Sequence, residues 1–192
     1  MESTGSMPVL FIGHGSPMNA IEHNEFTDGW RKMAETFPKP KAILCISAHW
    51  ETNGTLVTSM AKPKTIHDFG GFPQKLYDVQ YPAPGCPELA GEMQGMVTGV
   101  SVIPDDKWGM DHGAWGVIMQ MYPDASVPVI QMSLDYRLSR LNKVETLSIT
   151  NSYGETTDFG DSFCATCKNL RVICRHPTRT KSHSRFFICK ES

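Results

Sequence analysis

The sequence lacks several features that would assign a chain of 192 residues to a common class. No apolar run approaches the roughly 20 residues that a membrane-spanning helix needs, and no internal repeat is visible. The first residues are polar, without the basic-then-apolar order of a secretory signal. A net charge of −2 argues against a general binder of nucleic acids or membrane surfaces. These absences predict a cytoplasmic globular protein with neither kind of partner.

Charge and cysteine are distributed unevenly along the chain. Residues 1–136 carry 8 Lys/Arg and 15 Asp/Glu, a balance of −7, whereas residues 137–192 carry 10 and 5, a balance of +5. All 11 Met and all four Trp lie in the first segment, and four of the six Cys lie in the second. We therefore predict an α/β domain over 1–136 and a divergent, basic, poorly ordered tail over 137–192. In that tail Cys164 and Cys167 form a Cys-x-x-Cys pair without a matching second pair, which favours an unstructured tail over a structural zinc site.

In the first segment, short apolar runs alternate with stretches of helical periodicity. This alternation is typical of a mostly parallel sheet flanked by helices, so the predicted fold class is α/β. We expect the first two strands to be neighbours, the third to lie at an edge, and the proline-rich stretch 61–87 to be an ordered functional loop. The predicted strands are 8–12, 42–47, 55–59, 100–103 and 127–134, and the predicted helices are 25–37, 87–97 and 113–121.

Two histidines follow the ends of predicted buried strands. His14 lies in Gly-His-Gly-Ser-Pro and His49 in Ser-Ala-His-Trp. Open α/β sheets bind ligands at their strand ends, and neutral imidazole is the commonest protein ligand for transition metals. A metal site at His14 and His49 is the favoured interpretation. The alternative is a pair of histidines that are hydrogen-bonded within a turn and a core.

Two further histidines lie in motifs rich in acid and glycine. His112 stands between Asp111 and Gly113, where Asp111 could orient one ring nitrogen for acid–base work, or the motif could be a helix-capping turn. His67 lies in the long loop, which is either a lid over substrate or a surface turn. His23, near a helix start, is interpreted as a solvated surface residue.

Six blocks in one order resemble the class III extradiol ring-cleavage dioxygenases, and most closely their DOPA 4,5-dioxygenase branch. The resemblance covers residues 7–136, and several blocks in one order are more specific than any single one. The blocks are Met-Pro-Val-Leu-Phe-Ile-Gly-His-Gly-Ser-Pro-Met at 7–18, Ser-Ala-His-Trp at 47–50, the stretch 65–73 with His-Asp-Phe-Gly-Gly-Phe-Pro, Tyr-Pro-Ala-Pro-Gly at 81–85, Trp-Gly-Met-Asp-His-Gly at 108–113, and Tyr-Pro at 122–123.

The resemblance implies an oxidoreductase that inserts both atoms of O2 into a catechol such as DOPA. In such enzymes the metal is bound by the residues that match His14 and His49, and the residue that matches His112 is catalytic. Non-haem iron(II) is the cofactor this chemistry requires because zinc cannot change oxidation state, although Zn(II) can occupy the same nitrogen site. The candidate substrate-binding residues are His67, Phe69, Phe72 and Asp111.

The sequence departs from this family after Tyr136. Family members continue with a Gly-Asn-(apolar)2-His-Asn block that carries an acid–base histidine, and with a later residue that completes the metal site; neither occurs here. The fold is therefore expected to be incomplete and the activity impaired. A metal-dependent hydrolase on a similar sheet and a catalytically inactive remnant are the alternatives. Oxygen consumption separates the dioxygenase from the hydrolase, and metal analysis with Cys164 and Cys167 replaced addresses a remnant whose tail binds a metal or partner.

Overall fold

The protein is described by a computed structural model that covers residues 9–137, 148–150, 156–158 and 186–190. Strands and helices alternate through most of the described chain. The strands are β1 (Leu10–Gly13), β2 (Ile43–Thr52), β3 (Thr55–Thr58), β4 (Val97–Thr98), β5 (Val102–Asp105), β6 (Val129–Asp135), β7 (Ser148–Thr150), β8 (Thr156–Asp158) and β9 (Phe186–Lys190). The helices are α1 (Glu25–Glu35), α2 (Gln74–Tyr77), α3 (Pro87–Met96) and α4 (His112–Met121), with a short 3-10 helix at Pro17–Ala20.

Six strands form the main sheet in the order β1-β9-β2-β6-β3-β5. The pairs β1–β9, β2–β9, β2–β6 and β3–β5 are parallel, and β3–β6 is antiparallel. The predicted α/β class with a mostly parallel sheet is therefore confirmed. A second, three-stranded antiparallel sheet contains β4, β7 and β8. Within the described residues, no helix is both long and apolar enough to cross a membrane.

Two expectations about strand order are wrong. Strand β9 lies between β1 and β2, so the first two strands are not neighbours, and β3 lies between β6 and β5 rather than at an edge. Adjacency of consecutive strands is only a tendency, and here a strand from far along the chain occupies the gap. Apart from residue 137 and the strands β7, β8 and β9, the segment 137–192 lies outside the described residues. The Cys164–Cys167 pair and the prediction of a poorly ordered tail fall in that undescribed part.

The sheet separates two hydrophobic clusters because side chains alternate along each strand. On one face Ile43 and Cys45 pack with residues of α1 and α4, including Trp115, which is fully buried. On the other face Leu44 and Ile46 pack against residues of α3. Burial on both faces explains why β2 and β6 read as nearly continuous apolar runs rather than alternating ones.

The long loop between β3 and α3 is tied to the core along its length. The Gly85 amide donates to the Ala61 carbonyl at 2.9 Å, and the Met110 amide donates to the Lys64 carbonyl at 2.9 Å. The Tyr81 hydroxyl, on a buried ring, donates to the Tyr122 carbonyl at 2.8 Å. These bonds hold in place a loop that contains only the short helix α2.

Gly85→Ala should destabilise the protein because a Cβ at this position would lie 2.0 Å from the Met60 carbonyl oxygen, which is backbone and cannot rotate away. We expect a loss of roughly 1–3 kcal/mol in the free energy of unfolding, as for other overpacked sites. The matched control is Gly91→Ala in α3, where a Cβ would meet no atom of the described residues within 4 Å. Better helix propensity should make that variant more stable by up to about 1 kcal/mol. Urea unfolding measures both, and equal stability of the two variants would contradict this packing.

Candidate metal centre

Three histidines from different elements meet at one end of the main sheet. His14 directly follows β1, and its neighbour Gly15 has a φ of 61°, so the chain turns sharply after it. His49 lies where the β2–β6 register shifts between Ile46 and Glu51, an irregularity of the kind that redirects side chains near active sites. His112 is the first residue of α4. Sheet topology, rather than sequence proximity, brings the three rings together.

The three imidazoles are close enough to share one ion. The Nε2 atoms of His14 and His49 are 2.9 Å apart. The ring centroids are 4.9 Å apart for His14–His49, 5.0 Å for His14–His112 and 4.2 Å for His49–His112. One nitrogen from each ring lies within 4.8 Å of the others. A tetrahedral or facial site on a first-row metal uses nitrogens at such separations.

Burial keeps His14 neutral. Only 3% of its surface is exposed, and desolvation, followed by the charges of His112 and His49, lowers its pKa to about 4 despite a backbone hydrogen bond at Gly15. At neutral pH the imidazole therefore has a free lone pair. That is the form in which histidine binds a metal.

The Nε2 atom of His112 is suited to bind a metal ion. It is buried and has no hydrogen-bond partner among the described residues, whereas buried polar atoms are nearly always paired. The other ring nitrogen, Nδ1, is 2.8 Å from Oδ1 of Asp68, so Nδ1 carries the proton and Nε2 keeps a lone pair. A metal ion between the rings would satisfy this atom. The donor set of three imidazole nitrogens suits iron, zinc and other borderline metals.

The carboxylate beside His112 belongs to Asp68, not to Asp111 as the sequence suggested. Asp68 Oδ1 also accepts from the His112 backbone amide at 2.9 Å, and Oδ2 is 3.4 Å from Nδ1 of His49. Burial alone would raise the pKa of the Asp68 carboxyl, but its bonds to His112 outweigh burial and lower it. Asp68 is therefore ionised at neutral pH. Its position beside His67 in the His-Asp-Phe block was the available signal for this residue.

Asp111 instead connects α4 to the sheet. Its carboxylate accepts from the Ser47 hydroxyl at 2.8 Å, from the Ala114 amide at 3.1 Å and from the side-chain amide of Gln131. It is fully buried, and burial, followed by the charge of Asp68, raises its pKa. With its oxygens engaged in this way, Asp111 caps α4 and places His112. Substrate contact by Asp111 stays a prediction that this geometry does not favour.

Aromatic side chains of the long loop form a cluster that contacts the His112 ring. The ring of Phe69 lies edge-on to His112, with centroids 5.3 Å apart, and also contacts Phe72 and Tyr77.

His67 is set further back, because its Nε2 is 2.9 Å from the Val79 carbonyl and its ring packs against Phe69 and Trp115. The structure thus brings Phe69 to the centre directly, and His67 and Phe72 through Phe69. Substrate binding by these residues remains a prediction.

A stacked pair of tryptophans is a feature that sequence reasoning missed. Trp50 is 4% exposed and lies parallel to Trp108, with ring centroids 5.5 Å apart. No short-range pattern predicts this contact because the partners lie on β2 and on the segment before α4. The stack anchors the segment that leads into His112.

Comparison with known proteins matches most of the described chain to one enzyme family. Residues 8–147 match the model of the catalytic LigB subunit of aromatic ring-opening dioxygenases. The chain is 54% identical over 134 residues to 4,5-DOPA dioxygenase extradiol of Escherichia coli (strain K12), covering 69% of this chain and 49% of that protein. It is 47% identical over 136 residues to 4,5-DOPA dioxygenase extradiol of Beta vulgaris, covering 67% and 50%.

A solved structure shows the same relationship. The crystal structure of the uncharacterized protein JW3007 from Escherichia coli K12 aligns with a TM-score of 0.57 at 44% sequence identity, covering 70% of this chain and 50% of that one. The chain spans about half the length of the curated relatives it matches. Residues 8–147, which match the family model, include all three histidines of the centre. The chain belongs to the family of the catalytic LigB subunit of aromatic ring-opening dioxygenases.

Proposed function

We propose that His14, His49 and His112 bind one divalent transition metal, and that this site serves the extradiol opening of a catechol by O2. The observation that carries the proposal is the convergence of three imidazoles around the buried Nε2 of His112, an atom that no described residue pairs by a hydrogen bond. The family of the chain and the names of its relatives supply the reaction class. When bound, iron(II) would supply the redox chemistry that joins O2 to the ring, which zinc does not.

The residues around the centre would orient a flat aromatic substrate. Phe69 lies edge-on to His112, and Phe72 packs edge-on against Phe69; aromatic pairs prefer such edge-to-face contacts. A catechol held there would have its hydroxyl pair against the three imidazoles. Fixing the substrate in this way removes orientation entropy from the reaction barrier. DOPA is the catechol that the relatives' names indicate.

We propose that ring opening by this chain is slow. If Nε2 of His112 binds the metal, it is not available to move a proton. Among the described residues, the carboxylates next to the three rings are Asp68 and Asp111, and both are already engaged by hydrogen bonds. A positioned general acid or base contributes roughly 10²–10⁴-fold. We therefore expect turnover about 10²–10⁴-fold below that of the Escherichia coli relative.

The test is oxygen uptake by purified full-length chain that has been loaded anaerobically with iron(II) and mixed with DOPA in air. We expect slow oxygen consumption with formation of a yellow ring-opened product, and none above background for His49→Ala. Rates equal to those of the relative would contradict the impairment. No oxygen uptake by the iron-loaded chain would overturn the dioxygenase proposal, and ester or amide cleavage without oxygen uptake would support the hydrolase alternative instead.

A further inference from the structure

One carboxylate faces two of the three imidazoles from the side opposite the proposed metal. Asp68 Oδ1 is 2.8 Å from Nδ1 of His112, and Oδ2 is 3.4 Å from Nδ1 of His49. The Asp68 side chain is only 19% exposed, so water competes weakly for its oxygens. Oδ1 therefore orients the His112 ring through a hydrogen bond, and Oδ2 offers the His49 ring a longer electrostatic contact.

The loop that carries Asp68 is fixed by bonds to the segment that leads into His112. Thr65 and Met110 form a parallel bridge, and the Ile66 amide donates to the Met110 carbonyl at 2.8 Å. The indole of Trp115, on α4, donates to the Ile66 carbonyl at 2.7 Å. Asp68 lies two residues after Ile66, which forms two of these bonds. Its carboxylate accepts a hydrogen bond from the His112 backbone amide as well as from the ring. Its distance from the rings is thus set by backbone pairing and not by a flexible side chain.

We propose that Asp68 is a positioning residue that fixes the proton of His112 on Nδ1 through a hydrogen bond, favours the same tautomer of His49 through the nearby charge of Oδ2, and so directs both Nε2 lone pairs into the centre. A carboxylate has two acceptor oxygens and can serve both rings, whereas an amide has one acceptor and can serve only one. Carboxylate partners of metal-bound histidines act in this way elsewhere, and losing one typically costs 10–100-fold in metal affinity. This inference rests on the proposed metal site. It also means that Asp68 connects the long loop between β3 and α3 to the proposed metal ligands.

The variants Asp68→Ala and Asp68→Asn separate this role from simple packing. We expect zinc affinity, measured by competition with a chromophoric chelator, to fall about 10–100-fold for Asp68→Ala and by an intermediate factor for Asp68→Asn. Asp106→Ala is the matched control, because Asp106 is exposed and lies in the loop after β5. Its affinity should equal that of the unmodified chain. Thermal unfolding of each metal-free variant shows that the comparison is between folded proteins.

Nitrogen-15 NMR of the metal-free chain gives a second readout that does not need metal binding. We expect His112 and His49 to be protonated on Nδ1 in the unmodified chain, and to show a mixture of tautomers in Asp68→Ala. If the unmodified chain binds no zinc, the proposed metal site fails while the tautomer measurement still tests Asp68. Unchanged tautomers in Asp68→Ala would overturn the inference, whatever the affinity.

Discussion

His49→Ala should weaken metal binding by at least about 100-fold. Loss of a carboxylate that only orients a ligand costs 10–100-fold, so loss of a ligand itself should cost at least the upper value. His49 contributes the Nε2 atom that lies 2.9 Å from Nε2 of His14, and it is the most accessible of the three rings, with a side chain 12% exposed. Its removal therefore disturbs the core less than removal of His14 or His112 would. Zinc or cobalt titration of the metal-free chain measures the effect.

His23→Ala is the control for this prediction. His23 is exposed, and the structure places it outside the three-ring cluster, between the 3-10 helix and α1. Its replacement should leave the affinity and the one-to-one stoichiometry unchanged. Equal affinity of His49→Ala and His23→Ala would mean that the metal binds elsewhere, and would remove the basis for the proposed site.

Gly113→Ala should produce the second large effect, because the methyl group would collide with His49, one of the proposed metal ligands. A Cβ at Gly113 would lie 2.7 Å from Cδ2 of His49 and 3.2 Å from Oδ1 of Asp111. The His49 ring cannot move without leaving the other two imidazoles, and a displacement near 1 Å is enough to impair a functional site. We expect metal affinity to fall about 10–100-fold, in the range for a misplaced ligand, with the helix retained.

Gly116→Ala, one turn further along α4, separates this collision from the general effect of alanine in a helix. A Cβ there would lie 3.6 Å from the Cβ of Ala20, which is ordinary contact. Helix propensity favours alanine over glycine by up to about 1 kcal/mol at either site, so a difference between the two variants reports the collision at Gly113. Metal titration and urea unfolding of both variants give the comparison. If both variants bind metal as the unmodified chain does, His49 does not occupy the position described.

Many strands, helices and candidate ligands up to residue 136 were predictable because their signals are local. Apolar runs predicted β2 and β6, and the spacing of Phe26, Trp30 and Met33 predicted α1, which begins after the capping residue Asn24. His14 could be placed directly after a strand for the same reason, whereas the predicted end of the second strand at residue 47 was wrong, because β2 continues to Thr52 and His49 lies within it. Each of these predictions depends on residues that lie close together in the sequence, within one helix or one strand.

The strand order and the partner of His112 depend on contacts between distant residues. No local pattern shows that β9 enters between β1 and β2, because the pairing joins residues more than 130 positions apart. Asp111 is adjacent to His112 in sequence, yet its side chain points to Ser47 and Gln131, because a helix-capping residue turns back toward the amides of the first turn. The more distant Asp68 is the neighbour in space.

X-ray absorption of the full-length chain loaded with one equivalent of zinc tests the central claim most directly. Imidazole nitrogens bind zinc at about 2.0–2.1 Å and thiolate sulfur at about 2.3 Å, so the spectrum distinguishes the three histidines from Cys164 and Cys167. The account predicts three imidazole nitrogens and no sulfur, with loss of one imidazole in His49→Ala. A shell containing sulfur, or a spectrum unchanged by His49→Ala, would contradict it.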